Sequence, residues 1–110
     1  MIISATLTLT TANTGYTLKE RLASAGILIP DSWRVSSLFV YRDDTDLYIV
    51  RDAGAYANTA NVPDQYGFIL TSSLPKFELT TPRGNLISLD EIVVGCGASG
   101  KKVHVFAFTT

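Results

Sequence analysis

The residues that most often carry chemistry are nearly missing from this chain. Its 110 residues hold one cysteine (Cys96), one histidine (His104) and one tryptophan (Trp33). A single thiol excludes an internal disulfide and a four-ligand thiolate zinc site, and a single imidazole excludes any centre that needs two. Charge is scarce as well: 17% of residues are Asp, Glu, Lys or Arg, against about 25% in ordinary globular domains. The net charge is −1, and no basic run is longer than Lys101-Lys102. Nucleic-acid binding needs a positive stripe that displaces counterions from phosphates, so a nucleic-acid partner is not expected. No stretch is long and apolar enough for a membrane helix, so no membrane partner is expected either. The opening Met1-Ile2-Ile3-Ser4-Ala5-Thr6 lacks the basic region and apolar core of a signal peptide, so secretion by that route is not expected.

What is abundant is apolar: 46% of residues are hydrophobic. The length predicts one domain over 1–110, large enough to bury roughly two-thirds of its unfolded surface without disulfide or metal. So little charge leaves a lone small domain poorly coated, which favours a homo-oligomer or a subunit docked on something larger.

Periodicity predicts strands. Ile3, Ala5, Leu7 and Leu9 alternate with Ser4, Thr6, Thr8 and Thr10, the period of a half-buried strand with a threonine face outward. After the turn signal Ala12-Asn13-Thr14-Gly15, Thr17-Leu18-Lys19-Glu20 fits a capping box. Leu18, Leu22 and Ala25 then form one apolar stripe, and Gly26 supplies a left-handed stop. One short helix is therefore expected near residues 17–26, lying across an open end of the sheet. Strands are expected at 35–41 and 47–51, joined as a hairpin through Asp43-Asp44-Thr45-Asp46, and again at 66–71, 76–80 and 86–89. Residues 54–65 read as a long loop. Glu91-Ile92-Val93-Val94 and Val103-His104-Val105-Phe106-Ala107-Phe108 read as a closing hairpin around Gly97-Ala98-Ser99-Gly100. The fold class is all-β: a β-sandwich, jelly-roll-like, of seven to eight short strands with one short helix.

Each candidate for chemistry has a plainer alternative. His104 shares a strand face with Phe106 and Phe108, and without a motif it reads as a strand-surface or interface residue. Asp43, Asp44 and Asp46 could offer oxygens to calcium, but the positions where an EF-hand places its glycine and distal glutamate hold Tyr48 and Gly54. They read as turn residues, with Asp43 as turn acceptor and Arg42 and Arg51 as charge partners. Cys96 reads as a small buried hydrophobe. The glycine-rich run at residues 95–100 lacks the Lys-Ser/Thr ending of a phosphate loop and is followed by a strand, so it is a turn. Trp33, Phe39, Tyr41, Tyr48, Tyr56 and Tyr66 could supply a sugar-stacking platform, which keeps a small lectin-like module as the second functional class. Catalytic, cofactor and metal residues are expected to be none.

The order of features over residues 35–108 resembles small virion structural proteins of tailed bacteriophages. The pattern is a strand like Leu47-Tyr48-Ile49-Val50, a variable loop, and a turn like Tyr66-Gly67-Phe68-Ile69-Leu70. A Ser-Leu-Asp-Glu-Ile-Val-Val segment at 88–94 and a Gly-Ala-Ser-Gly-Lys-Lys-Val-His-Val stretch at 97–105 complete it. The helix-bearing segment 17–26 is not part of the pattern. The resemblance implies a non-enzymatic virion subunit without cofactor, made in the host cytoplasm and incorporated into the particle. Capsid decoration or cement comes first, and a minor head, neck or tail accessory protein second. Its partners would be the major capsid protein or other virion proteins, with no small-molecule ligand. Both faces of the last strand are largely apolar, so Phe106 and Phe108, with His104 beside them, are the expected interface residues. Tyr56 in the 54–65 loop marks a second contact region.

Overall fold

The computed structural model describes residues 2–52 and 68–109. Among these residues eight strands and one helix follow in the order β1 (Ile2–Leu9), β2 (Tyr16–Thr17), α1 (Leu18–Ser24), β3 (Ser37–Arg42), β4 (Tyr48–Asp52), β5 (Phe68–Leu70), β6 (Lys76–Thr80), β7 (Ile92–Cys96) and β8 (Lys101–Phe108). They form two four-stranded antiparallel sheets, β1-β8-β3-β6 and β2-β7-β4-β5. The pairing is nested: β1 with β8, β2 with β7, β3 with β6 and β4 with β5. Rolling that long double ribbon brings β8 against β3 and β7 against β4. This is the jelly roll, and the all-β sandwich expected from the alternating strands is what the chain adopts.

Neither expected hairpin forms. β7 and β8 lie in different sheets, as do β3 and β4. The segments 97–100 and 43–47 are therefore corners that carry the chain from one sheet to the other. A glycine- or aspartate-rich turn reverses the chain in either case; the identity of the next neighbour is decided by longer ladders. β8 runs eight pairs against β1 and six against β3, so both its edges are satisfied by distant strands. The strand expected at 86–89 reduces to a single bridge between Val35 and Ile87. β2, two residues long, lies where only a turn and a helix cap were read.

The inner faces meet in one core. Ile3, Leu7 and Leu9 of β1, Leu38 and Val40 of β3, Tyr48 and Val50 of β4, Val94 and Cys96 of β7 and Val103, Val105 and Ala107 of β8 are buried in it. Helix α1 starts as its capping residues dictate, with the Glu20 amide donating to the Thr17 hydroxyl at 3.1 Å. The Glu20 carboxylate does not reach back; it accepts from Arg21 instead. Gly26 takes φ 88°, the left-handed stop. Leu18 and Leu22 are buried, each contributing roughly 1.5–3 kcal/mol, and the Arg21 guanidinium lies 4.4 Å over the Tyr16 ring. The helix packs on β1, β2 and β7, so it covers a flank that includes the edge strands of both sheets, β1 and β2.

Candidate functional site

Period two on β8 turns Val103, Val105 and Ala107 inward and leaves Lys102, His104, Phe106 and Phe108 on the outer face of the β1-β8-β3-β6 sheet. Pairing then sets what lies beside each one. Phe108 has Ile2 on one side and Ser37 on the other; Phe106 has Ser4 and Phe39; His104 has Thr6 and Tyr41. β6 extends these rows with Thr80, Glu78 and Lys76. The outer face is thus a grid that is apolar at the Ile2 end and polar at the Thr6 end.

At the apolar end three phenyl rings pack against one another on the surface. Phe39 lies 6.2 Å from Phe106 and 6.3 Å from Phe108, and Phe106 meets Phe108 edge-on at 5.9 Å. Phe106 stays 37% exposed and Ile2 68%. The Lys76 ammonium sits 5.9 Å from the Phe39 ring centre and pairs with Glu78 at 3.6 Å.

At the polar end His104 joins three strands' worth of structure. Its Nε2 lies 2.7 Å from Asp43 Oδ1, and its Nδ1 lies 2.9 Å from Thr6 Oγ1. An ionised carboxylate only accepts, so Nε2 carries a proton; in the neutral ring Nδ1 then accepts from the Thr6 hydroxyl. The order carboxylate–imidazole–hydroxyl could in principle move a proton off Thr6. However, His104 and Asp43 are 43% and 42% exposed, and water at both ends weakens the fixed field that acyl-transfer chemistry relies on. What the arrangement does firmly is tie the 43–47 corner to β8 and β1.

The other aspartates of that corner face Lys101. Its ammonium lies 3.1 Å from Asp44 Oδ2 and 2.7 Å from Asp46 Oδ2. Asp44 Oδ1 accepts from the Asp46 amide at 2.9 Å and from the Tyr48 phenol at 3.1 Å. The amide of Asp46, with Lys101 and Tyr48 adding to it, holds the Asp44 carboxyl below its ordinary value, while burial and Asp44 push the Tyr48 phenol up. The expected roles are therefore exchanged: Asp44, not Asp43, is the turn acceptor, and Asp43 pairs with His104, not with Arg42 or Arg51. Among the described residues no group of three His, Cys, Asp or Glu side chains could hold a metal.

Cys96 is buried in the core, and desolvation raises its thiol, as suits a small hydrophobe. Of the aromatic residues named for sugar stacking, Tyr48 is fully buried and Trp33 packs against the core, whereas Phe39 and Tyr41 lie on the outer face. Tyr56, Tyr66 and the whole 54–65 loop fall outside the described residues. Sequence reasoning knew Thr6 only as part of the threonine face, Phe39 and Tyr41 only as candidate sugar-stacking rings and Asp43 only as a turn acceptor, and placed none of them beside β8. Their outward positions follow from period two, but their convergence on β8 depends on pairings between residues as far as 98 apart. No family model, no curated protein and no solved structure matches the chain.

Proposed function

We propose that this chain is a non-enzymatic structural subunit of a phage virion, a capsid decoration or cement protein. It would dock through the apolar end of the outer sheet face. The observation that carries the reading is the cluster of exposed Phe106 with half-buried Phe39 and Phe108 against it and exposed Ile2 beside it. Phenyl rings at the surface of a sheet whose other outer positions are mostly Ser, Thr, Lys and Glu are a contact patch in search of cover. The eight-stranded roll is an architecture used by viral capsid subunits, lectins and cupins alike, so the fold is compatible with the reading without selecting it.

Magnitudes bear on how such a subunit attaches. Covering what remains exposed of the three rings is worth roughly 1 kcal/mol per ring. Association costs about 4–15 kcal/mol in lost freedom. The patch is therefore an anchor within a wider footprint, and attachment in many copies or as a homo-oligomer supplies the remaining strength by multivalency.

The test is sedimentation of the purified chain with particles of the encoding virus that lack it. Wild type is expected to co-sediment in many copies per particle, and Phe108→Asp to remain folded in the supernatant. Failure of the wild type to co-sediment, or unimpaired decoration by Phe108→Asp, would overturn the reading. Attachment of only a few copies at one vertex would point to a head, neck or tail accessory instead.

A further inference from the structure

Next to the apolar patch the outer face holds a shallow open cleft of about 350 Å³. Ser4 and Thr6 on β1 form one wall, Phe106 and His104 on β8 the middle, and Tyr41 on β3 the other wall. We propose that this cleft binds a neutral oligosaccharide, with the rings of Tyr41 and Phe106 stacking on the carbohydrate and the hydroxyls of Ser4 and Tyr41 bonding to it.

Four observations converge on that ligand class. First, the Ser4 hydroxyl and the Tyr41 phenol have no hydrogen-bond partner among the described residues, although both line the cleft. Hydroxyls that can both donate and accept suit sugar hydroxyls, which do the same. Second, Tyr41 and Phe106 are 38% and 37% exposed, so ring surface is available to the C–H face of a pyranose. An aromatic body with a polar neighbour is the usual way a protein meets a partly apolar, partly wet ligand. Third, the lining of the cleft holds no carboxylate, lysine or arginine, and its one imidazole already faces Asp43. A charged ligand would find no fixed counter-charge in that lining; a neutral one needs none. Fourth, the spacing fits. Neighbouring positions on the grid are roughly 5 Å apart across strands and roughly 7 Å along them, so the five residues span the footprint of one or two pyranose rings. The cleft is too open to enclose an apolar molecule, and an open cleft lets a longer chain run past at both ends.

The His104 bridge has a role here too. Held between Asp43 and Thr6, the imidazole is fixed in the middle of the cleft before the ligand arrives, so little ordering is lost on binding. The inference does not rest on the docking reading, because the two involve different residues apart from Phe106. A subunit anchored by Ile2 and Phe108 would leave Thr6 and Tyr41 at the far end of the face.

The full chain, nitrogen-labelled, is titrated by NMR with maltotriose, cellotriose and triacetylchitotriose, and with sialyllactose as the anionic arm. Saturable shifts are expected at the amides of Thr6, Tyr41, His104 and Phe106 with at least one neutral trisaccharide, with dissociation constants on the order of millimolar. Tyr41→Ala should weaken that binding at least about tenfold, and Ser4→Ala, an exposed change that cannot disturb the core, by about threefold. Phe108→Asp should leave it unchanged, which separates this site from the docking patch. No saturable shift with any of the three neutral sugars, binding of sialyllactose alone, shifts confined elsewhere, or undiminished affinity in Ser4→Ala and Tyr41→Ala would each overturn the proposal.

Discussion

The two faces of β8 obey different rules. The inner face, Val103, Val105 and Ala107, is buried without exception, and any apolar residue of similar volume would serve there. The outer face changes character along its length, from Phe108 and Phe106 to His104 and Lys102. The three phenyl rings lie outside the core between the sheets, whereas the valines point only inward. One strand thus carries the fold on one side and the candidate function on the other.

That contrast can be broken most severely from the inside. Val105→Asp places a carboxylate between two sheets with no partner, and a loss of about 3–5 kcal/mol or more is expected. Denaturant titration by circular dichroism checks it, and a folded variant of near-normal midpoint would mean that water reaches the inner face. Next comes the neighbouring strand. Leu7→Ala, on the core side of β1, should cost about 2–5 kcal/mol, whereas Thr6→Ala, one residue away on the outer side, should cost no more than about 1 kcal/mol. If the two thermal melts shift alike, the two faces are not separable. The smallest effect concerns Lys101, where β8 begins. Asp44 is held below its ordinary carboxyl value, so it adds stability above that ordinary value and loses it as pH falls through the depressed one. Asp44→Asn should therefore lower the melting temperature slightly near neutral pH and make no difference in strong acid. A deficit that persists in acid would mean that the Asp44 contacts contribute without the carboxylate's charge.

The parts of the fold legible in sequence were those that depend on near neighbours. The Ile3-to-Leu9 alternation placed β1 and its faces, and Thr17, Glu20 and Gly26 bounded the helix to within a residue or two. Segments 43–46 and 97–100 were recognised as turns, but not as corners between sheets. Local residues bend the chain, while the partner of a strand is set by ladders such as β1 with β8, which join the two ends of the molecule. The site was legible in halves. Phe106, Phe108 and His104 follow from the period of one strand. Asp43, 61 residues from His104 in sequence, and Thr6, 98 residues away, could not be found without the register.

By itself, then, the sequence determined that this chain is a β-rich domain with a threonine-faced first strand, an apolar last strand and one capped helix, because period two and capping act over a few residues. Only the tertiary structure decided that the strands roll into two four-stranded sheets, that the two expected hairpins become corners, and that phenyl rings and a His104-centred cleft share one outer face. Those outcomes depend on which distant strands bury each other's edges, and that is settled by the packing of the whole chain.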